Sequence, residues 1–120
     1  MPTGTTLERA ALDPVEREVL DRLVRQVEAE YGDDLHGIWL YGSRARGERT
    51  HDESDVDVMV VTRTRRRDDR VWRFVTEGWD LGVFVDPRQV SLEWVEGRRA
   101  IRSFFLQEVD RDKIVLFGEP

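Results

Sequence analysis

Val15, Val19, Leu23, Val27 and Tyr31 recur at four-residue spacing with charged residues between them, the pattern of an amphipathic helix lying on a sheet. In front of this stripe, Asp13-Pro14-Val15-Glu16 combines an N-cap, a proline at the first helical position and an acid three residues after the cap, while Gly32 marks a stop. Leu35 to Tyr41 is a short apolar run rich in β-formers, broken by Gly42-Ser43 ahead of the helix-compatible Arg44-Ala45-Arg46. This reads as strand, tight turn, helix start. From Asp55 to Val61 acids and aliphatics alternate, so Asp55, Asp57, Met59 and Val61 share one face of a second strand and Val56, Val58 and Val60 the other.

Residues 64–77 place Val71, Trp72, Phe74 and Val75 at helical spacing, with Gly78 as a stop. Trp79 to Val85 alternates again and predicts a third strand, with Trp79, Leu81, Val83 and Val85 on one face and Asp80, Gly82 and Phe84 on the other. Asp86-Pro87-Arg88-Gln89 repeats the cap and proline pattern and predicts a helix running through Leu92 and Trp94. A further helix over 99–109 and a terminal strand over Lys113–Phe117 complete the pattern. The sum is an α+β fold, a small mixed β-sheet with helices packed mainly on one face. A single domain is expected over 13–120, preceded by a loose arm over 1–12 that carries Pro, Gly and Thr without periodicity.

Length and composition narrow the chemistry. A chain of 120 residues suits one core. The absence of cysteine excludes disulfides and thiolate metal sites, so any metal must be held by oxygen or imidazole. A formal charge of −6 argues against general affinity for nucleic-acid backbone, which depends on cations displacing counterions. No apolar run approaches the roughly 20 residues of a membrane span, so a cytoplasmic protein without a membrane partner is expected. Arg63, Arg65, Arg66, Arg67 and Arg70 form the densest basic run and read as a solvated helix face. His36 and His51 are too far apart and unaccompanied for a zinc site, and the tryptophans at 39, 72, 79 and 94 fit core stripes.

The informative stretch is Gly42-Ser43, an eleven-residue interval, then Asp55-Val56-Asp57 at the head of an apolar strand. Glycine lets the backbone turn sharply and approach a phosphate without a β-carbon, and a serine hydroxyl with free backbone N–H groups donates to anionic oxygens. Aspartates two apart on a strand project from one face and can converge on a divalent cation. Gly42 and Ser43, with Arg44 and Arg46 after them, are thus the candidate triphosphate contacts. Asp55 and Asp57 are the candidate metal ligands.

Through Gly42-Ser43-Arg44-Ala45-Arg46-Gly47 and Ser54-Asp55-Val56-Asp57 the sequence resembles the minimal nucleotidyltransferases of the DNA polymerase beta superfamily, and the order of elements over 13–117 is similar to that family's whole short domain. The resemblance implies that the aspartates hold Mg2+ bridging the triphosphate. It also implies a third acid on the neighbouring strand, for which Asp80 is the candidate, that joins Asp55 and Asp57 as a metal ligand and helps to activate an acceptor hydroxyl. The short forms resemble the antitoxin halves of two-gene toxin–antitoxin pairs, whose partners are helical HEPN-type proteins. The activity so implied is transfer of AMP from ATP to a hydroxyl, tyrosine for preference, on such a partner. Two other readings stand beside it: a degenerate module that neutralises a partner by contact alone, and a small-molecule nucleotidyltransferase acting as a homodimer.

Overall fold

A computed structural model of the protein describes residues 10–48, 55–65 and 70–120. Helix α1 (Pro14–Tyr31) opens with the capping box that its sequence announces. The Asp13 carboxylate accepts from the Glu16 N–H at 2.8 Å, and Glu16 Oε1 accepts from the Asp13 N–H at 3.0 Å. Its buried face comprises Glu16, Val19, Leu20, Leu23, Val27 and Tyr31, whereas Val15 is exposed. A strict four-residue row rotates about 40° around the helix at each step, so its first member drifts off the face on which the others lie.

A short 3₁₀ turn (Gly32–Asp34) leads into β1 (Leu35–Tyr41), followed by β2 (Val56–Thr62), a second 3₁₀ segment (Arg70–Phe74), the four-residue helix α2 (Thr76–Trp79) and β3 (Val85–Ser91). Helices α3 (Leu92–Ala100) and α4 (Phe104–Asp112) and strand β4 (Ile114–Gly118) finish the chain. The sheet has the order β3-β2-β1-β4. β2 and β4 are antiparallel to β1, while β3 is parallel to β2. The fold is thus α+β with a small mixed sheet.

Alternation on the two central strands builds two cores. Ile38, Leu40, Val56, Val58 and Val60 pack against the α1 stripe with Val71, Val75 and Val85. Trp39, Tyr41, Met59 and Val61, on the opposite face, pack against Val95 of α3 and Leu106 and Val109 of α4. Among the described residues no helix is long and apolar enough to cross a membrane.

Three expected elements are corrected. Residues 79–84 are not a strand, because Gly82 takes a left-handed φ of 74° and folds the chain back. The Val83 N–H donates to Gly78 O at 2.9 Å and the Gly82 N–H to Trp79 O at 3.1 Å, a Schellman closure that ends the helical turn. The strand therefore starts at Val85, where a helix was expected. Asp86-Pro87-Arg88-Gln89 has the letters of a helix cap, yet Val85 and Pro87 are buried in the sheet and the backbone of 85–91 pairs with β2. The true cap is Ser91, whose Oγ accepts from the Trp94 N–H at 3.1 Å. Residues 43–47 form a hydrogen-bonded turn rather than a helix, with Arg46 N–H to Gly42 O at 3.2 Å and Glu48 N–H to Ser43 O at 2.9 Å. Of the helix expected over 64–77, residues 66–69 lie outside the described residues, as do His51 and the end of the arm at 1–9. Residues 10–12 are packed: Ala10 is buried, Ala11 donates to Arg44 O at 2.8 Å, and Leu12 lies against the core.

Candidate active site

The end of β1 and the beginnings of β2 and β3 meet at one edge of the sheet. Tyr41 stands opposite Asp57 in the antiparallel pair, and Asp57 stands opposite Asp86 in the parallel pair. Side chains paired across neighbouring strands point to the same side, so Asp57 and Asp86 share a face and Asp55 precedes them at the mouth of β2. The Asp57 carboxyl is pushed up to about 6, by burial first, then by the neighbouring negative charges of Asp86 and Asp55. Three acids are crowded here, and Arg88 and Arg44 offset only part of their field at Asp57.

Gly42 closes on Asp57. It has a left-handed φ of 77°, and a β-carbon there would collide with Asp57 Oδ2. Gly42, which opens the turn of 42–47, is therefore packed directly against the Asp57 carboxylate. Tyr41 beneath them is buried and meets the Phe105 ring edge-on, with centroids 5.7 Å apart at 89°. Its phenol is raised to about 12 by burial, which Arg88 opposes and Asp57 and Asp86 reinforce.

Asp80 is not brought to this cluster. It is the exposed C-cap residue of α2, five residues before Val85 opens β3. The acid in register with Asp57 is Asp86, which sequence reasoning assigned to a helix cap. Its signal was present in the alternation of Phe84, Asp86, Arg88 and Val90 with the buried Val85 and Pro87. The capping letters obscured it.

Arg44 is 1% exposed and turns into the protein. Its Nη1 donates to Glu16 Oε2 at 2.7 Å and to Ala11 O at 3.0 Å, tying the turn to the start of α1. Glu16 thus caps α1 with one oxygen and holds Arg44 with the other. Arg46, more exposed, pairs with Glu48 at 3.2 Å and lies 3.9 Å from Asp112. Arg88 was not singled out from sequence. It stands opposite Met59 on the acid-bearing face, with its guanidinium 5.5 Å from the Phe105 ring centroid.

A nucleotidyltransferase domain model matches residues 20–94, more than half of the chain, including Gly42, Asp55, Asp57 and Asp86. The chain belongs to the nucleotidyltransferase domain family. It is similar to the "Putative protein adenylyltransferase" of Methanocaldococcus jannaschii, with 35% identity over 86 residues that cover 62% of this chain and 58% of that protein. The chain therefore spans less than two thirds of that relative. A "putative nucleotidyltransferase" from Sulfolobus solfataricus has a similar structure, with TM-score 0.56 and 21% identity over 98% of this chain and 87% of that one. A chain in the complex of tri-AMPylated Shewanella oneidensis HEPN toxin with MNT antitoxin matches at TM-score 0.50 and 17% identity, over 86% of this chain and 73% of its own. At such identities the structural likeness is one of fold.

Among the described residues no three His, Cys, Asp or Glu side chains already form a closed cation site. Mg2+ does not require one, because it keeps several waters and binds through one or two carboxylates plus substrate phosphates. The donors are all hard oxygens, and the raised Asp57 carboxyl shows negative charge that a cation would relieve. Carboxylate oxygens of this kind are the donor class that ion takes.

Proposed function

We propose that the protein transfers AMP from ATP to a hydroxyl of a partner protein, with Asp55 and Asp57 as ligands of Mg2+ and Asp86 in place of Asp80 as the third acid. The observation that carries this reading is the register of Asp57 with Asp86, with Gly42 closed against Asp57. Bound there with the nucleotide, Mg2+ would neutralise the phosphates and polarise the α-phosphate. The turn at Gly42-Ser43 would hold the β- and γ-phosphates through the Ser43 hydroxyl and backbone N–H groups. Asp86 would accept the proton of the attacking hydroxyl as its oxygen bonds to the α-phosphorus and pyrophosphate departs. Arg88 supplies positive charge on the same face.

The family membership supports nucleotidyl transfer, and the name of the Methanocaldococcus jannaschii relative supports a protein acceptor. The fold likeness to a chain in the Shewanella oneidensis complex makes a helical HEPN-type protein the partner to test first. The test is transfer of label from α-labelled ATP, with Mg2+, to proteins of a host lysate. Asp57→Asn and Asp86→Asn are each expected to lower labelling at least about 100-fold, while Asp80→Asn stays within a few fold of the parent. Equal losses in Asp80→Asn and Asp86→Asn would sink the assignment of the third acid. A protein that co-purifies with its partner yet labels nothing would point to neutralisation by contact alone.

A further inference from the structure

Trp72 and Trp79, expected in core stripes, are instead about half exposed, and with Phe84 they line a cleft of about 450 Å³ that Asp55 and Asp86 share, so they border the active site already described. A second exposed apolar group lies elsewhere. Ile101 and Phe104, at the connection between α3 and α4, are 69% and 75% exposed, the highest values of any large apolar side chain among the described residues. Exposed apolar side chains that stand together with a polar rim mark contact surfaces, whereas single ones do not.

The connection is firmly built. The Ser103 N–H donates to Arg98 O at 2.9 Å and the Arg102 N–H to Arg99 O at 3.0 Å, the two bonds of a Schellman closure. Its left-handed position, where glycine is usual, is taken by Arg102 with a φ of 53°, and no other non-glycine residue among those described has a positive φ. Glycine would close the helix with less strain. The arginine instead adds a cation between Ile101 and Phe104 along the chain, and backbone strain of this kind collects at functional surfaces.

Charge sets this tip apart from the rest of the molecule. Residues 97–107 hold Arg98, Arg99 and Arg102 and no acid, in a chain whose formal charge is −6. Arg99 is taken by Asp110, at 2.8 and 2.9 Å. Arg98 lies over the Trp94 ring, 5.3 Å from its centroid, and neither it nor Arg102 is paired with a carboxylate of the described residues. A surface that is apolar and basic together complements an apolar segment that carries carboxylates. A nucleic acid would use the arginines and leave Ile101 and Phe104 in water, and an anionic lipid surface would repel a chain that is acidic overall. The tip also adjoins the acid-bearing face: Phe104 reaches solvent, whereas Phe105 packs inward on Tyr41 and Arg88.

We infer that the α3–α4 tip is a docking surface for an acidic amphipathic segment of a partner protein, whose apolar side chains cover Ile101 and Phe104 and whose carboxylates meet Arg98 and Arg102. A partner seated there is held beside the acid cluster. Docking needs neither nucleotide nor Mg2+, so it is separable from the proposed transfer.

The test titrates a capped amphipathic peptide of leucine and glutamate into the full chain without nucleotide or Mg2+, and compares it with the same peptide carrying lysine for glutamate and with phosphatidylglycerol vesicles. The glutamate peptide should shift the indole N–H signal of Trp94, which lies under Arg98, saturably. It should leave that of Trp39, which is buried and donates to Glu119 O at 2.7 Å. The lysine peptide should shift neither. Phe104→Ala should weaken the glutamate peptide at least about tenfold without lowering the melting temperature, since the ring is exposed. Arg102→Gly should weaken it about threefold or more while raising the melting temperature as the strain is released. An arginine that served only to close the helix would give the gain in stability with no loss of affinity, and that result would overturn the inference. So would the absence of a Trp94 shift with the glutamate peptide, an equal shift with the lysine peptide, or vesicle binding that is lost in Phe104→Ala and Arg102→Gly. AMP transfer that fails in a protein that still binds the peptide would defeat the proposed reaction and leave the docking surface standing.

Discussion

Gly42 is constrained twice, by a φ of 77° and by the Asp57 carboxylate where a side chain would begin. The left-handed backbone alone costs about 1–2 kcal/mol for an L-residue. Relief of the collision would have to come from Asp57, because the turn is fixed by its own hydrogen bonds. Gly42→Ala is therefore expected to lower stability by about 1–2 kcal/mol in urea titration and to lower AMP transfer far more than that loss explains. Transfer that survives unchanged would show that the contact with Asp57 is unimportant. At the same scale, Arg44 shows how a residue type can be read correctly and its task missed. An arginine after a Gly-Ser turn suits a phosphate, but Glu16 and Ala11 O take it. Nothing local to 44 announces a partner 28 residues earlier.

Among elements, α1 and the turn after β1 act as one unit because Glu16 and Arg44 join them in a buried ion pair at 2.7 Å. Removing one partner of a buried pair leaves a desolvated charge, at a typical cost of about 3–5 kcal/mol. Arg44→Ala should accordingly lose about 3 kcal/mol in urea denaturation, and nucleotide affinity should fall with it as the turn loosens. A loss below about 1 kcal/mol, the scale of an exposed pair, would show that the bridge is not desolvated. Strand β3 teaches the complementary lesson. Its Asp86-Pro87 start satisfies a local helix rule, yet a capping box contributes only about 1 kcal/mol, less than the burial of Val85 and Pro87 against β2. A four-residue signal lost to a seven-residue pairing. With the strand displaced from 79–85 to 85–91, the third acid moved from Asp80 to Asp86.

For the whole molecule, the acid cluster makes stability depend on pH and on cation. Asp57 holds its proton up to about 6, well above the ordinary range for a carboxyl, so the folded protein binds protons more tightly than the unfolded chain between those values. In chelator, stability should therefore fall as pH rises from about 4 to about 6 and stay reduced above. Asp57→Asn removes that penalty. Discounted for a half-exposed group, it should be roughly 1 kcal/mol more stable than the parent at pH 7.5, about 3–5 °C in melting temperature. The difference should close near pH 4, and a constant difference at every pH would mean that the cluster's repulsion is not its cause. The sequence by itself determined α1 with its capping box, the two central strands, the terminal strand and the placing of Gly42 and Asp57 at facing strand ends. Those features depend on periodicity and on contacts within a few residues, which a linear text records. Tertiary structure alone decided that Arg44 faces Glu16, that Gly82 ends a helical turn and starts β3 late, and that Asp86 meets Asp57. It also gathered Trp72, Trp79 and Phe84 around one cleft. Each of these depends on which distant backbone competes for the same hydrogen bonds and the same apolar surface, and that competition is settled only when the sheet closes.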